Sequence, residues 1–181
     1  QGAGQGWWKP ANYTNKFYGP STLRLGVEKS RNLMTVRLAQ FLGMDIITNY
    51  AKKFGITKDM PKLLSMSLGA GETRLIDITA AYAMLVNGGK FIQPRFIDRI
   101  QDRRGKTIMS SDQRVCDQCK VVSWSNQKVP KLLDNREEIV TSEAAYQVVS
   151  MLEGVVQRGT GRRIKSLGKH LAGKTGTTND G

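Results

Sequence analysis

Residues 172–180 read Ala-Gly-Lys-Thr-Gly-Thr-Thr-Asn-Asp, and near the other end of the chain residues 29–32 read Lys-Ser-Arg-Asn. The first stretch contains a Lys-Thr-Gly string that starts at Lys174, and the second contains a Ser-x-Asn string that starts at Ser30. Each string alone is weak evidence, because a serine beside a helix is more often a cap or turn residue than a catalytic group. Their order along the chain is what makes the pair informative.

The Lys-Thr-Gly string also completes a second pattern, the phosphate-binding loop G-x-x-x-x-G-K-[ST], over residues 168–175. That loop requires a strand before its first glycine and a helix that begins around its lysine. Residues 162–167, Arg-Arg-Ile-Lys-Ser-Leu, are poor material for a buried strand, and residues 175–181 are glycine, threonine, asparagine and aspartate, which form helices badly. The sequence context therefore contradicts a nucleotide-binding loop.

The chain has 181 residues, of which 39% are hydrophobic, so it makes one packed domain or a large part of one. Its longest apolar-rich stretch, residues 78–86, is interrupted by Thr79 and is far shorter than the roughly 20 residues that a membrane span needs. The sequence begins Gln-Gly-Ala-Gly-Gln-Gly, without an initiator methionine or a signal peptide. We therefore expect a piece of a longer protein, with any anchor upstream.

The charge is strongly positive, since 28 lysines and arginines against 15 acidic residues give +13. The excess is concentrated in residues 154–179, which contain six basic residues and no acidic one. Such a field attracts nucleic acid, an anionic membrane surface or a carboxylate-bearing substrate, or it is a solvated face that aids solubility. The aromatic residues at the N-terminal end do not interleave with this run, so nucleic acid is not favoured. The six basic residues are Arg158, Arg162, Arg163, Lys165, Lys169 and Lys174.

The two cysteines, Cys116 and Cys119, form a lone C-x-x-C in a polar stretch. A closed zinc site needs four ligands, and His170 is the single histidine of the chain. A redox motif would be expected beside a strand–helix unit. The context favours a loop disulfide in an oxidising compartment, with a free thiol pair as the alternative.

Periodicity and turn residues predict a mixed α+β fold that is mostly helical. We predict helices over residues 22–29, 36–42, 46–54 (with Asp45 as cap), 75–86 and 142–156, a hairpin from 91–100 and 106–109, a polar excursion over about 110–135, and a short strand over 170–178. The 75–86 helix is apolar nearly all round, which predicts that it is buried.

The two strings resemble the second and third motifs of the penicillin-binding proteins and related serine β-lactamases, whose set is Ser-x-x-Lys, Ser-Asp-Asn and Lys-Thr-Gly. Arg31 stands where the β-lactamase form has aspartate. Further stretches resemble the class A, bifunctional penicillin-binding proteins: residues 18–24, 36–40, 68–70, 80–83, 87–89, 158–161 and 172–180. The resemblance implies that residues 1–181 are part of a transpeptidase domain, with about 110–135 as an inserted polar loop.

The resemblance also implies roles for particular residues. Ser30 would relay a proton to the leaving amine, Asn32 would hydrogen-bond the substrate amide, and Lys174 would supply positive charge. The substrate-binding set would comprise Thr175, Gly176, Thr177 and Thr178. In that set the hydroxyls of Thr175 and Thr177 would bind the substrate carboxylate, the Thr177 N–H would donate to the oxyanion, and Gly176 would leave room for the substrate.

The nucleophile motif Ser-x-x-Lys should precede Ser30, and residues 1–29 contain no such string. Matches at 125–128 and 166–169 come after Ser30, in a Pro-flanked stretch and before glycine-rich strand material, whereas the motif needs the head of a long buried helix. We therefore expect the nucleophilic serine outside this chain, and the chain alone to be catalytically incompetent.

The implied function is a peptidoglycan D,D-transpeptidase that cross-links peptide stems ending in D-Ala-D-Ala and binds β-lactams, in a parent that is also a glycosyltransferase. It would use no cofactor and bind no nucleic acid. The parent would be anchored in the bacterial cytoplasmic membrane with this domain facing the periplasm. The alternative is a noncatalytic basic module that binds an anionic polymer.

Overall fold

The computed structural model describes residues 8–114, 116, 119, 123, 125–130 and 132–176. These residues form a mixed α+β structure that is mostly helical, as the sequence predicts. Its α-helices are α1 (Leu23–Glu28), α2 (Asn32–Leu42), α3 (Met44–Lys53), α4 (Leu75–Val86) and α5 (Ser142–Gln157); its strands are β1 (Arg99–Gln101) and β2 (Thr107–Ser110); two 3₁₀-helices span Leu64–Leu68 and Arg162–Leu167.

Helix α5 is the central element, since both α1 and α4 pack against it. Its N-cap is Thr141, whose side-chain oxygen accepts a hydrogen bond from the Ala144 N–H at 3.3 Å. Glu143 lies in its first turn, where a negative charge is favourable. Its buried side is made of small and branched residues that let α1 approach closely: Ala145, Leu152, Gly154, Val155 and Val156.

Helix α4 ends in the turn that its sequence predicts. Gly89 has a φ of 82°, and its N–H donates to the Met84 carbonyl at 2.8 Å. The Gly89 carbonyl accepts from the Ile139 N–H at 2.8 Å, which brings the strand-like stretch before α5 against α4. Ala80, Met84 and Ile139 form the buried cluster at this junction.

Several predicted elements differ in the structure. Helix α4 is not buried all round, because Leu75 and Val86 at its ends are 81% and 74% exposed. Helix α2 begins at Asn32, four residues earlier than predicted, and Asp45 lies in the first turn of α3 while Gly43 is its N-cap.

The prediction of a strand over residues 170–178 is wrong for residues 170–176, the part that the structure describes. Residues 170–176 join no ladder among the described residues. They are held to α5 instead, where the Gly173 N–H donates to the Leu152 carbonyl at 3.3 Å. Thr177 and Thr178 lie outside the described residues. A strand is defined by its neighbour, and a sequence pattern does not show whether a neighbour is present.

The predicted hairpin is confirmed in a shorter form, with Arg99 opposite Ser110 in antiparallel register. Asp102 stabilises its turn by accepting from the N–H groups of Arg104 and Lys106 at 2.8 and 2.9 Å. Beyond β2, Cys116 and Cys119 are joined by a disulfide, with their Cα atoms 5.4 Å apart. None of the helices in the described ranges is long and apolar enough to cross a membrane.

Candidate active site

Ser30 lies at the end of α1 in a conformation that usually belongs to glycine. Its φ is 51°, and its N–H donates to the Val27 carbonyl at 3.1 Å, while the Arg31 N–H donates to the Gly26 carbonyl at 2.9 Å. This pair of bonds is a Schellman motif, in which the left-handed residue is normally glycine because other side chains crowd the backbone there. Glycine would be more stable than serine in this backbone conformation. The presence of a serine hydroxyl there marks Ser30 as a functional candidate.

Lys174 lies directly against Ser30, although 144 positions separate them in the chain. Its Nζ donates to Ser30 Oγ at 2.6 Å and to the Thr175 carbonyl at 3.0 Å. Partial burial lowers the pKa of Lys174 from its ordinary value, since an ammonium loses hydration there. The structure thus brings the two predicted motifs together through their charged and hydroxyl groups.

Asn32 is the first residue of α2, two positions beyond Ser30. Its Nδ2 donates to the Ala11 carbonyl at 3.0 Å rather than to Ser30 or Lys174. Asn12 also holds the N-terminal stretch to the start of α2, because its Oδ1 accepts a hydrogen bond from the Leu33 N–H at 3.2 Å. Nδ2 has a second N–H, so the amide group of Asn32 can still donate through that hydrogen and accept through its oxygen.

Arg31, the middle residue of the Ser-x-Asn string, binds elsewhere. Its guanidinium lies over the Tyr18 ring, 3.1 Å from the ring centroid, in a cation–π contact. The Tyr18 hydroxyl bonds the Thr14 hydroxyl at 2.6 Å. That bond and the neighbouring Arg31 lower the pKa of Tyr18.

Thr175, next to Lys174, contacts a different part of the molecule. Its hydroxyl lies 2.6 Å from the hydroxyl of Thr160, in the turn that follows α5. Lys174 and Thr175 therefore have different partners, Ser30 and Thr160. Gly176 is exposed, and apart from its chain neighbours no heavy atom of the described residues lies within 4 Å of where its Cβ would be.

An ion pair between a buried carboxylate and a half-exposed arginine joins α1 to the end of α5. Glu28 is 3% exposed, and it accepts two hydrogen bonds from Arg158, from Nε at 2.9 Å and from the terminal nitrogen at 2.6 Å. Arg24, one turn before Glu28, lies 3.7 Å from the same carboxylate. A Cβ at Gly154 would collide with the carboxylate, so glycine is needed there for α1 to meet α5.

Sequence reasoning missed the roles of Glu28 and Thr160. The stretch 158–161 carried the family resemblance, and Arg158 was counted in the basic run, but neither observation pairs it with an acid. Glu28 lies 130 positions from Arg158. One sequence contains no signal that joins residues so far apart, and a glutamate in a short amphipathic helix normally faces solvent.

The geometry supports proton transfer and anion binding. A lysine that donates to a serine oxygen leaves the serine proton available for a third group.

The 3₁₀-helix that precedes Gly168 contradicts the strand required by a phosphate-binding loop. Within the described ranges, His, Cys, Asp and Glu side chains do not gather in groups of three that could hold a metal ion.

Comparison with known proteins agrees with this arrangement. A family model described as the penicillin binding protein transpeptidase domain matches residues 1–181. Penicillin-binding protein 1A of Rickettsia conorii is 48% identical over 183 residues, which cover 99% of this chain and 23% of that protein. Penicillin-binding protein 1A of Pseudomonas aeruginosa is 34% identical over 204 residues, which cover 96% of this chain and 25% of that protein.

Solved structures give the same fold. The crystal structure of penicillin-binding protein 1A from Haemophilus influenzae matches 99% of this chain and 30% of its own, with a TM-score of 0.81 and 26% identity. The D,D-transpeptidase domain of a peptidoglycan glycosyltransferase from Eggerthella lenta matches 94% of this chain and 45% of its own, with a TM-score of 0.68 and 23% identity, and this likeness shows the fold alone.

The chain spans about a quarter of the length of the curated relatives described above. The alternative interpretation as a noncatalytic basic module finds no support in these matches. The family model covers the chain from end to end, and both short motifs meet in the folded structure. The chain therefore belongs to the penicillin-binding protein transpeptidase domain family.

Proposed function

We propose that this chain is part of a serine-type D,D-transpeptidase that cross-links peptidoglycan stems ending in D-Ala-D-Ala and is acylated by β-lactams. The observation that supports this most directly is the 2.6 Å contact between Lys174 Nζ and Ser30 Oγ. The nucleophilic serine is supplied by a part of the protein outside this chain.

The reaction has two acyl transfers. The nucleophilic oxygen attacks the carbonyl carbon of the penultimate D-alanine, the bond to the terminal D-alanine breaks, and that residue leaves as an amine. The attacking hydroxyl loses its proton as the new ester bond forms. Ser30 gives its own proton to the leaving nitrogen and regains one from Lys174, whose Nζ already donates to Ser30 Oγ, and the proton that the attacking hydroxyl gave up restores Lys174. An acceptor amine from a second stem then attacks the ester, which releases the serine and forms the cross-link.

The remaining predicted residues bind and orient the donor. Asn32 offers its side-chain oxygen to the substrate amide, while Ala11 holds the other end of the amide group. Lys174 adds the positive charge that a donor with a free carboxylate requires. Thr175, Gly176, Thr177 and Thr178 form the substrate-binding set, in which the hydroxyls of Thr175 and Thr177 bind that carboxylate and Gly176 leaves room for the donor. A hydroxyl can both donate and accept, so Thr175 can bind the carboxylate while it stays bonded to Thr160.

The parent protein is proposed to be a class A enzyme with a glycosyltransferase domain, anchored in the bacterial cytoplasmic membrane with this domain in the periplasm. The class A resemblance and the relatives named penicillin-binding protein 1A support this placement.

The test is covalent labelling of the full-length protein with a fluorescent penicillin. We expect one label per molecule, competed by unlabelled β-lactam, and cross-linked product when stem peptides are supplied. Lys174→Ala and Ser30→Ala should each slow acylation by about 10²-fold or more. The 181-residue chain by itself should gain no mass in excess penicillin. An unlabelled full-length protein, or variants that acylate at the parental rate, would overturn the assignment.

A further inference from the structure

The turn at residues 158–161 contacts the chain just before the Ser-x-Asn motif and the Lys-Thr-Gly motif itself. The Thr160 N–H donates to the Glu28 carbonyl at 3.1 Å, two residues before Ser30. The Thr160 hydroxyl lies 2.6 Å from the hydroxyl of Thr175, the residue after Lys174. One residue therefore ties the backbone that leads to Ser30 to the segment that carries Lys174.

The turn itself is held firmly against α1. Arg158 forms its two hydrogen bonds to the buried Glu28 carboxylate, and the Arg158 carbonyl accepts from Lys29 Nζ at 2.7 Å. A Cβ at Gly159 would collide with the Glu28 backbone carbonyl, so the turn and the end of α1 are in close contact. The Gly161 N–H closes the turn onto the Val155 carbonyl at 2.9 Å.

We propose that Thr160 is a positioning residue that sets the separation of Ser30 Oγ and Lys174 Nζ, an inference that rests on the proposed function. Proton transfer between these atoms needs hydrogen-bond reach, and a misplacement of about 1 Å can slow a reaction by about 10²-fold. The segment 170–176 pairs with no strand among the described residues, and its identified anchors outside itself are few. The Gly173 N–H to Leu152, Thr175 to Thr160 and Lys174 to Ser30 are those anchors.

Threonine suits this position because one residue supplies two different contacts. The backbone N–H reaches Glu28 whatever the side chain is, whereas the hydroxyl bond to Thr175 depends on the Oγ1 atom. Valine replaces that oxygen with a methyl group of similar size. Thr160→Val therefore removes the link to the Lys174 segment and leaves the link to Glu28 in place.

The experiment measures acylation of the full-length protein by a fluorescent penicillin, separated into the dissociation constant of the initial complex and the rate constant of the chemical step. Thr160→Val is expected to slow the chemical step about 3- to 10-fold, the value of one hydrogen bond, and to change the dissociation constant by less than about 2-fold, because Thr175 keeps its own hydroxyl for the donor carboxylate. Thr160→Ser keeps the hydroxyl and should acylate within about 2-fold of the parent. Thr79→Val is the matched control, since its hydroxyl bonds the Leu75 carbonyl inside α4, away from the site.

A double-mutant cycle with Thr175→Val decides whether Thr160 acts through its hydroxyl partner. In the Thr175→Val protein, adding Thr160→Val should slow the chemical step by less than about 2-fold further. Thr160→Ala serves as the second variant if valine is not accommodated. The inference would be overturned if Thr160→Val acylated at the parental rate. It would also be overturned if Thr160→Val slowed acylation equally with and without Thr175→Val, or if Thr79→Val slowed it as much. A full-length parent that is not acylated would instead refute the proposed function.

Discussion

Two regions of this molecule use the same arginine–carboxylate pairing for different ends. Where α1 meets α5, Arg158 binds Glu28 across 130 positions, and the carboxylate side chain is 4% exposed. In the polar segment after β2, Arg114 binds Asp112 two positions away, and the two side chains are 51% and 48% exposed. The Arg114 guanidinium lowers the pKa of Asp112, and the pair joins residues that are already neighbours in the chain.

Burial and sequence separation, and not the pairing itself, decide what each of these ion pairs does. The Glu28 pair fixes two helices and the approach to Ser30. The Asp112 pair shapes a few residues of chain that would be close in any conformation. Solvent also screens the exposed pair, which makes its contribution small.

The largest effect is expected from Arg158→Ala, compared with Arg114→Ala. Loss of Arg158 leaves the buried Glu28 carboxylate with Arg24, at 3.7 Å, as its remaining cation among the described residues, so the free energy of unfolding should fall by about 3 kcal/mol. Arg114→Ala should cost less than about 0.5 kcal/mol. Pulse proteolysis in urea, followed on peptides from α5 in the full-length protein, measures both.

The acidic partner of the same ion pair provides a matched variant. Glu28→Gln keeps the shape of the side chain, and the side chain of Arg158, 57% exposed, can still be hydrated. The loss should therefore be smaller, about 1 kcal/mol. Equal losses for Arg158→Ala and Glu28→Gln, or a loss for Arg158→Ala no larger than for Arg114→Ala, would contradict the assignment of burial as the cause.

An intermediate effect is expected at Ser30, where function and stability oppose each other. Ser30→Gly and Ser30→Ala both remove the hydroxyl, so both should lose acylation alike. They differ in the backbone, because glycine adopts the φ of 51° freely and alanine does not. Ser30→Gly should be more stable than Ser30→Ala by about 1 kcal/mol in urea unfolding. Equal stabilities would mean that the left-handed conformation is not strained.

The sequence predicts what is local and misses what is distant. Helix α4 and its closing turn follow from an apolar run and the Asn87-Gly88-Gly89 signal, and the hairpin follows from its turn residues. The Ser30–Lys174 contact was accessible through family resemblance and not through periodicity. The roles of Glu28 and Thr160 cannot be predicted from this sequence. Glu28 binds a residue 130 positions away, and Thr160 binds the Thr175 hydroxyl, which no sequence pattern marks.

The smallest effect is expected in the polar segment, where Cys116 and Cys119 are bridged. The bridge spans one turn, and the Cys119 N–H donates to the Cys116 carbonyl at 3.3 Å. Residues so close remain near each other in the unfolded chain, so the cross-link removes few of its conformations. Replacing both cysteines by serine should change the free energy of unfolding by no more than about 0.5 kcal/mol and leave acylation unchanged. Alkylation and intact mass of the parent, purified without reductant, verify that the bridge is present before the comparison is made. A loss as large as that of Arg158→Ala would show that the polar segment is tied to the helices after all, and would remove the contrast between the two regions.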